Sequence, residues 1–295
     1  MCRKLPGPVD GVNPAKYCRK KERPSPMPIG ATEIVKLKNS RIEIDQSGRG
    51  APVLLLHGED GFELGDSAAV LIDHLAGRHT VYRPRMPGFG KSTLPDTLRD
   101  IDEMSYEWLD LLDHIDLKDV TIIGFSVGGW LALEMAAKSC ARLRRLVLTG
   151  SVGLKFGDAY DRDIGDIYFH NTADVRAMRF HDPAADPHLD LTTLTKREAL
   201  ALAKQREAIA KLCWEPYFHT PSLRSRLHRV TLPTLVVQGM KDRMTPTKYG
   251  RALARELPNA RYVGIPRAGH FPHIEQPDAF VDAVDAFFSE TGRKR

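Results

Sequence analysis

A chain of 295 residues, 42% hydrophobic and 27% charged, is long enough for one large domain or for a core that carries an insertion. It has no apolar run near the roughly 20 residues that a membrane-spanning helix needs, which argues against a membrane-embedded class. The net charge of +5 resides in the first 28 residues, where seven basic side chains face two acidic ones; the remainder holds 36 of each, so no nucleic-acid face is expected.

Residues 1–28 hold six prolines, have no apolar period, and lack the apolar core of a secretory signal. They read as a disordered, basic, proline-rich tail. The cysteines, Cys2, Cys18, Cys140 and Cys213, have no metal-like spacing and read as free thiols in a reducing compartment, so the chain is expected in the cytoplasm.

From Ala31 onward, short β-branched runs alternate with helical stretches. ATEIVKLK and RIEIDQ form an antiparallel opening pair. The runs PVLLLHG, HTVYRPR, DVTIIGF, LRRLVLTG, LPTLVVQG and ARYVGIP follow, several of them apolar throughout, as strands covered on both faces must be. Helices are predicted over Asp66–Leu75, Glu103–Ile115, Val127–Lys138, Pro246–Leu257 and Gln276–Phe288. This order predicts an α/β fold, a mostly parallel eight-stranded sheet flanked by helices. Residues 151–230 contain no clear strand and one amphipathic helix around Thr195–Trp214. They read as a helical cap inserted between two parts of the core, 29–150 and 231–290, above the carboxyl edge where open sheets bind ligands.

Gly124-Phe125-Ser126-Val127-Gly128 follows a strand and opens a helix, the context in which G-x-S-x-G presents a nucleophile. The flanking glycines permit a sharp turn, and the Val127 amide at the helix start points toward developing negative charge. A serine needs a base, and the base needs an orienting acid. Asp242 follows the strand ending LVVQG and His270 follows the last strand, giving the chain order Ser, Asp, His. His57-Gly58-Glu59-Asp60, at the end of PVLLLHG, offers an amide for a second oxyanion donor.

HGEDGF, PGFGKS, GFSVGG, GMKDRMTP and AGHFPHIEQP together resemble the α/β-hydrolase family, over about 265 residues from Ile29. The resemblance implies a capped serine hydrolase with Ser126 as nucleophile, His270 as base, Asp242 as orienting acid, and oxyanion amides from Glu59 and Val127. Arg85 departs from it, since similar proteins often have aspartate two residues before the proline of PGFG. Serine at the elbow argues against epoxide opening and halide removal, for which the family uses aspartate.

PGFGKST fails as a phosphate loop, because the motif's first glycine would fall at Arg85. His181, Asp182, Asp186, His188 and Asp190 lack ligand spacing and read as turn residues, so no metal is expected. His273 is expected to support rather than to replace His270, and His57 to be structural. Phe62, Phe125, Trp130 and Phe271 are candidates for a substrate pocket. No dinucleotide fingerprint is present and no cofactor is expected. The partner is a small-molecule substrate, and no exposed heptad sets an oligomeric state. The expected reaction is hydrolysis of a small or medium carboxylic ester through an acyl-enzyme. Carbon–carbon cleavage of aromatic ring-fission products stands as one alternative, and ligand binding with little turnover as another.

Overall fold

The computed structural model describes residues 30, 32–62, 68–158, 160–187 and 190–292. The predicted tail with Cys2 and Cys18, the start of the helix expected from Asp66, and His188 lie outside them.

The eight strands are β1 (Thr32–Lys36), β2 (Arg41–Ser47), β3 (Ala51–Leu56), β4 (His79–Pro84), β5 (Val120–Phe125), β6 (Leu143–Thr149), β7 (Thr234–Gly239) and β8 (Ala260–Ile265). They form one sheet in the order β1-β2-β4-β3-β5-β6-β7-β8. β2 runs antiparallel to both β1 and β4, and every other pairing is parallel.

Strand periodicity divides the core in two. On β3, Leu54 and Leu56 face one cluster and Val53 and Leu55 the other; β7 splits Val236 from Leu235 and Val237 in the same way. The first cluster packs under α2 (Ile101–His114) and α3 (Val127–Lys138) around Trp108 and Trp130. The second packs under α1 (Ala69–Ala76) and the C-terminal helix around Phe280 and Val284. Both faces are therefore covered, which is why the central strands read as solid apolar runs.

Between β6 and β7 the insert carries α4 (Thr172–Arg179), α5 (Lys196–Cys213) and α6 (Leu223–Arg226). Among its described residues the only β feature is an isolated bridge between Gly153 and His219. α5 opens on a reciprocal cap, in which Thr195 Oγ1 accepts from the Glu198 amide while the Glu198 carboxylate accepts from the Thr195 amide. α4 is only eight residues long and has no fully buried residue, too short a run for a helical period to stand out in the sequence. Past β7 come α7 (Thr247–Glu256), then β8, the short α8 (Pro272–Glu275), and α9 (Pro277–Gly292), which closes the second face of the sheet.

Candidate active site

Ser126 stands between β5 and α3 at φ 50° and ψ −113°, a left-handed conformation that costs a non-glycine residue on the order of 1–3 kcal/mol. Its neighbours explain how the turn closes. A Cβ on Gly124 would lie 2.6 Å from the Gly128 carbonyl oxygen, and one on Gly128 would overlap the carbonyl oxygen of Leu56. Only glycine lets strand, turn and helix approach so closely. The Ser126 amide donates to Thr149 O at 2.9 Å, which pins the turn to β6.

Asp242 lies in the loop after β7 and is fully enclosed. Its Oδ1 accepts from the amides of Met244 and Thr245, both at 2.8 Å. Its Oδ2 accepts from Thr245 Oγ1 at 2.5 Å and faces His270 Nδ1 at 3.0 Å. With every other contact donating to this carboxylate, His270 is assigned the tautomer with its proton on Nδ1, which leaves the Nε2 lone pair exposed to chemistry. Burial opposes the charged imidazole, but Asp242, by charge and hydrogen bond, and Glu59, by charge, raise the His270 pKa above its ordinary value.

Ser126 Oγ and His270 Nε2 are both buried, and neither makes a hydrogen bond, to the other included. Such contacts commonly close only when substrate arrives. For Glu59, burial favours the neutral form, yet the Arg179 guanidinium, charge on His270 and its own amide bring its pKa below the usual range.

Arg179, the last residue of α4, donates through Nη2 to Glu59 Oε1 at 2.7 Å and through Nη1 to both Asp60 oxygens at 3.2 Å. Its backbone carbonyl accepts from the His270 amide at 2.5 Å, and Met178 O accepts from the Arg243 amide at 3.0 Å. The insert is thus bonded to the loops that carry Glu59, Asp242 and His270. Sequence reasoning missed Thr245 and Arg179; the Thr in GMKDRMTP was a visible signal for the first, whereas nothing around Arg179 marked the second.

Glu59 and Arg179 also border a cavity of about 310 Å³, lined further by Tyr168, His170, Arg206 and Ile209. A second cavity of about 30 Å³ touches Phe62, Phe125 and Phe271, three of the four aromatics expected at a pocket. Trp130 is the fourth. It lines neither cavity, because α3 is buried all round and the indole points beneath the insert, where Nε1 donates to Thr220 Oγ1 at 3.1 Å and to Glu134 Oε1 at 3.3 Å.

His57 Nε2 accepts from the Met86 amide at 2.9 Å, so Nδ1 carries the proton toward Gly58 O at 2.7 Å. Burial and nearby Arg85, against opposing pulls from Gly58 O and Glu59, take its pKa down to about 4, and it is neutral at ordinary pH. His273 packs on Phe125 and Phe280, its pKa taken to about 3 by burial and by His270. Arg85 finds its carboxylate across the sheet, donating to Asp45 Oδ2 at 2.7 Å. In the PGFGKS loop the Lys91 amide donates to Glu43 Oε2 at 2.6 Å, so a side chain already occupies a donor that a phosphate would need. Asp182 and Asp190 cap short turns and Asp186 pairs with Arg176 at 2.7 Å. Among the described residues, no group of three or more potential ligands could hold a metal. No helix there is long and apolar enough to cross a membrane.

Comparison with known proteins agrees with this fold. The chain is 28% identical over 269 residues to 2-hydroxymuconate semialdehyde hydrolase of Pseudomonas putida, covering 85% of this chain and 91% of the relative. It is 26% identical over 258 residues to pimeloyl-[acyl-carrier protein] methyl ester esterase of Legionella pneumophila, covering 83% and 98%. The meta-cleavage product hydrolase of Pseudomonas fluorescens superposes with a TM-score of 0.71 at 20% identity, over 88% of this chain and 97% of that one. A model of the alpha/beta hydrolase family matches residues 53–283, and the chain belongs to that family.

Proposed function

We propose that the chain is a serine hydrolase acting on a small or medium carboxylic ester, with Ser126, His270 and Asp242 as its triad and the insert as its cap. The observation that carries this is the buried Asp242–His270 pair, whose tautomer leaves Nε2 as the acceptor, beside a serine held in strained backbone.

The Ser126 hydroxyl attacks the carbonyl carbon while His270 Nε2 takes its proton. The carbonyl electron pair moves onto oxygen, and the amides of Val127 and Glu59 bind that oxyanion. Collapse expels the alcohol oxygen, which receives the proton from His270, and an acyl-serine remains. Water then repeats the sequence, giving up a proton to His270 and releasing the acid. Asp242 stays charged and stabilises the imidazolium in both halves.

The experiment is labelling by a fluorophosphonate, with Ser126→Ala alongside. Label and ester turnover must both vanish in the variant; label that persists refutes the assignment. A second reading, carbon–carbon hydrolysis, draws on the relative named a 2-hydroxymuconate semialdehyde hydrolase. Nitrophenyl esters and vinylogous diketone acids, assayed in parallel, separate the two. Saturable binding without product would favour the ligand-binding alternative.

A further inference from the structure

Glu59 brings a negative charge to the place where the proposed reaction creates one. Its carboxylate is 4% exposed, its Oε1 accepts from Arg179 Nη2 at 2.7 Å, and its own amide favours its ionised form. That amide is the one assigned to the oxyanion. The loop that carries the carboxylate lies against the nucleophile, since a Cβ on Gly58 would meet Ser126 Cβ at 3.0 Å, and the second Glu59 oxygen, Oε2, is buried with no hydrogen-bond partner.

The surroundings hold it there. Arg179 reaches in from α4 and ties Glu59 and Asp60 together. The cavity of about 310 Å³ is lined by Glu59, Asp60 and Arg179, whereas neither Ser126 nor His270 lines it, and Ser126 is 1% exposed. The ion pair thus walls the space a substrate would fill, a space onto which the nucleophile does not open, and that same space has room to receive a rotated glutamate.

We propose that Glu59 and Arg179 form a latch over the oxyanion site, and that an acyl substrate gains access to Ser126 only when the Glu59 side chain swings into the cap cavity. The latch rests on Ser126 being the nucleophile. Its charge also acts on the base, because Glu59 is one of two carboxylates that favour protonated His270, Asp242 being the other. The other charged or titratable groups around the pair are Asp60 on its own loop, Arg179 on α4 with Asp186 acting on it, His57 and His273 in neutral form, Tyr168, Cys213 and Tyr217 of the insert, all three of which sense the Glu59 charge, and His170, Arg176 and Arg206 along the cavity.

The test measures the rate of fluorophosphonate labelling and kcat/KM for nitrophenyl acetate in the wild-type chain, Glu59→Gln and Glu59→Ala, with Ser126→Ala as control. If the open state is about one-tenth populated, freeing it raises both rates about ten-fold. The acid limb of the pH–rate profile also moves to lower pH, which a merely structural glutamate would not bring about. Folded Glu59 variants, with the wild-type melting temperature, that label no faster overturn the latch. Should neither fold, Arg179→Lys keeps the charge but loses the two-pronged grip; faster labelling supports the latch and an unchanged rate overturns it. Wild-type label that survives Ser126→Ala ends the nucleophile assignment instead, so the two failures are distinguishable.

Discussion

Replacing Asp242 by asparagine keeps shape and removes charge, and the hydrogen bonds fix which way the new amide must face. Two backbone donors, from Met244 and Thr245, meet Oδ1, so the amide oxygen stays there. The NH2 group is then forced toward Thr245 Oγ1, which can accept from it, and toward His270 Nδ1. An NH2 group cannot accept the Nδ1 proton. The imidazole adopts the other tautomer, with Nε2 protonated and unable to take a proton from Ser126. The wrong tautomer in such a triad costs about 10⁴-fold in kcat, equivalent to about 5 kcal/mol of barrier. Stopped-flow turnover of a nitrophenyl ester, with calorimetry to show an intact fold, measures it. A folded Asp242→Asn chain within ten-fold of wild type would refute the tautomer argument and the role of His270 with it.

Further outcomes follow from the other histidines and from Trp130. The pKa of His270 is raised, so ester turnover should fall as pH drops through a midpoint above 6.5, seen in a pH–rate profile. The linked stability has the opposite sense: it is full below 6.5 and is lost as pH climbs through the raised value. His57, held neutral down to about pH 4, works against the fold in acid, costing about 3 kcal/mol between pH 6.5 and 4; His57→Gln should flatten that part of a urea-unfolding series against pH. Trp130→Phe should lower stability by about 1–3 kcal/mol, through the lost Nε1 bonds and indole volume, while the ranking of ester substrates stays unchanged.

The strands were legible because each carries its own short apolar period, and the family resemblance names Ser126, Asp242 and His270 through motifs that sit next to strand ends. What stayed hidden was side-chain direction and contact across the chain. Trp130 follows the elbow by four residues, but α3 is buried on every side, so helical period cannot say which face its indole takes. α4 hides for another reason, being only eight residues long with no fully buried residue. The sequence marks Glu59 for its amide alone; that its carboxylate pairs with Arg179 depends on a partner 120 positions away, which no local pattern encodes.

The amide of His270 hangs from the carbonyl of the final residue of α4. Successive helical residues turn by about 100°, so a one-residue deletion in that helix would aim this carbonyl elsewhere and leave His270 without its anchor. Exchanging this insert between relatives is therefore not a modular operation here. A transplanted insert would have to finish its turn in register, or it would displace a histidine it never replaced.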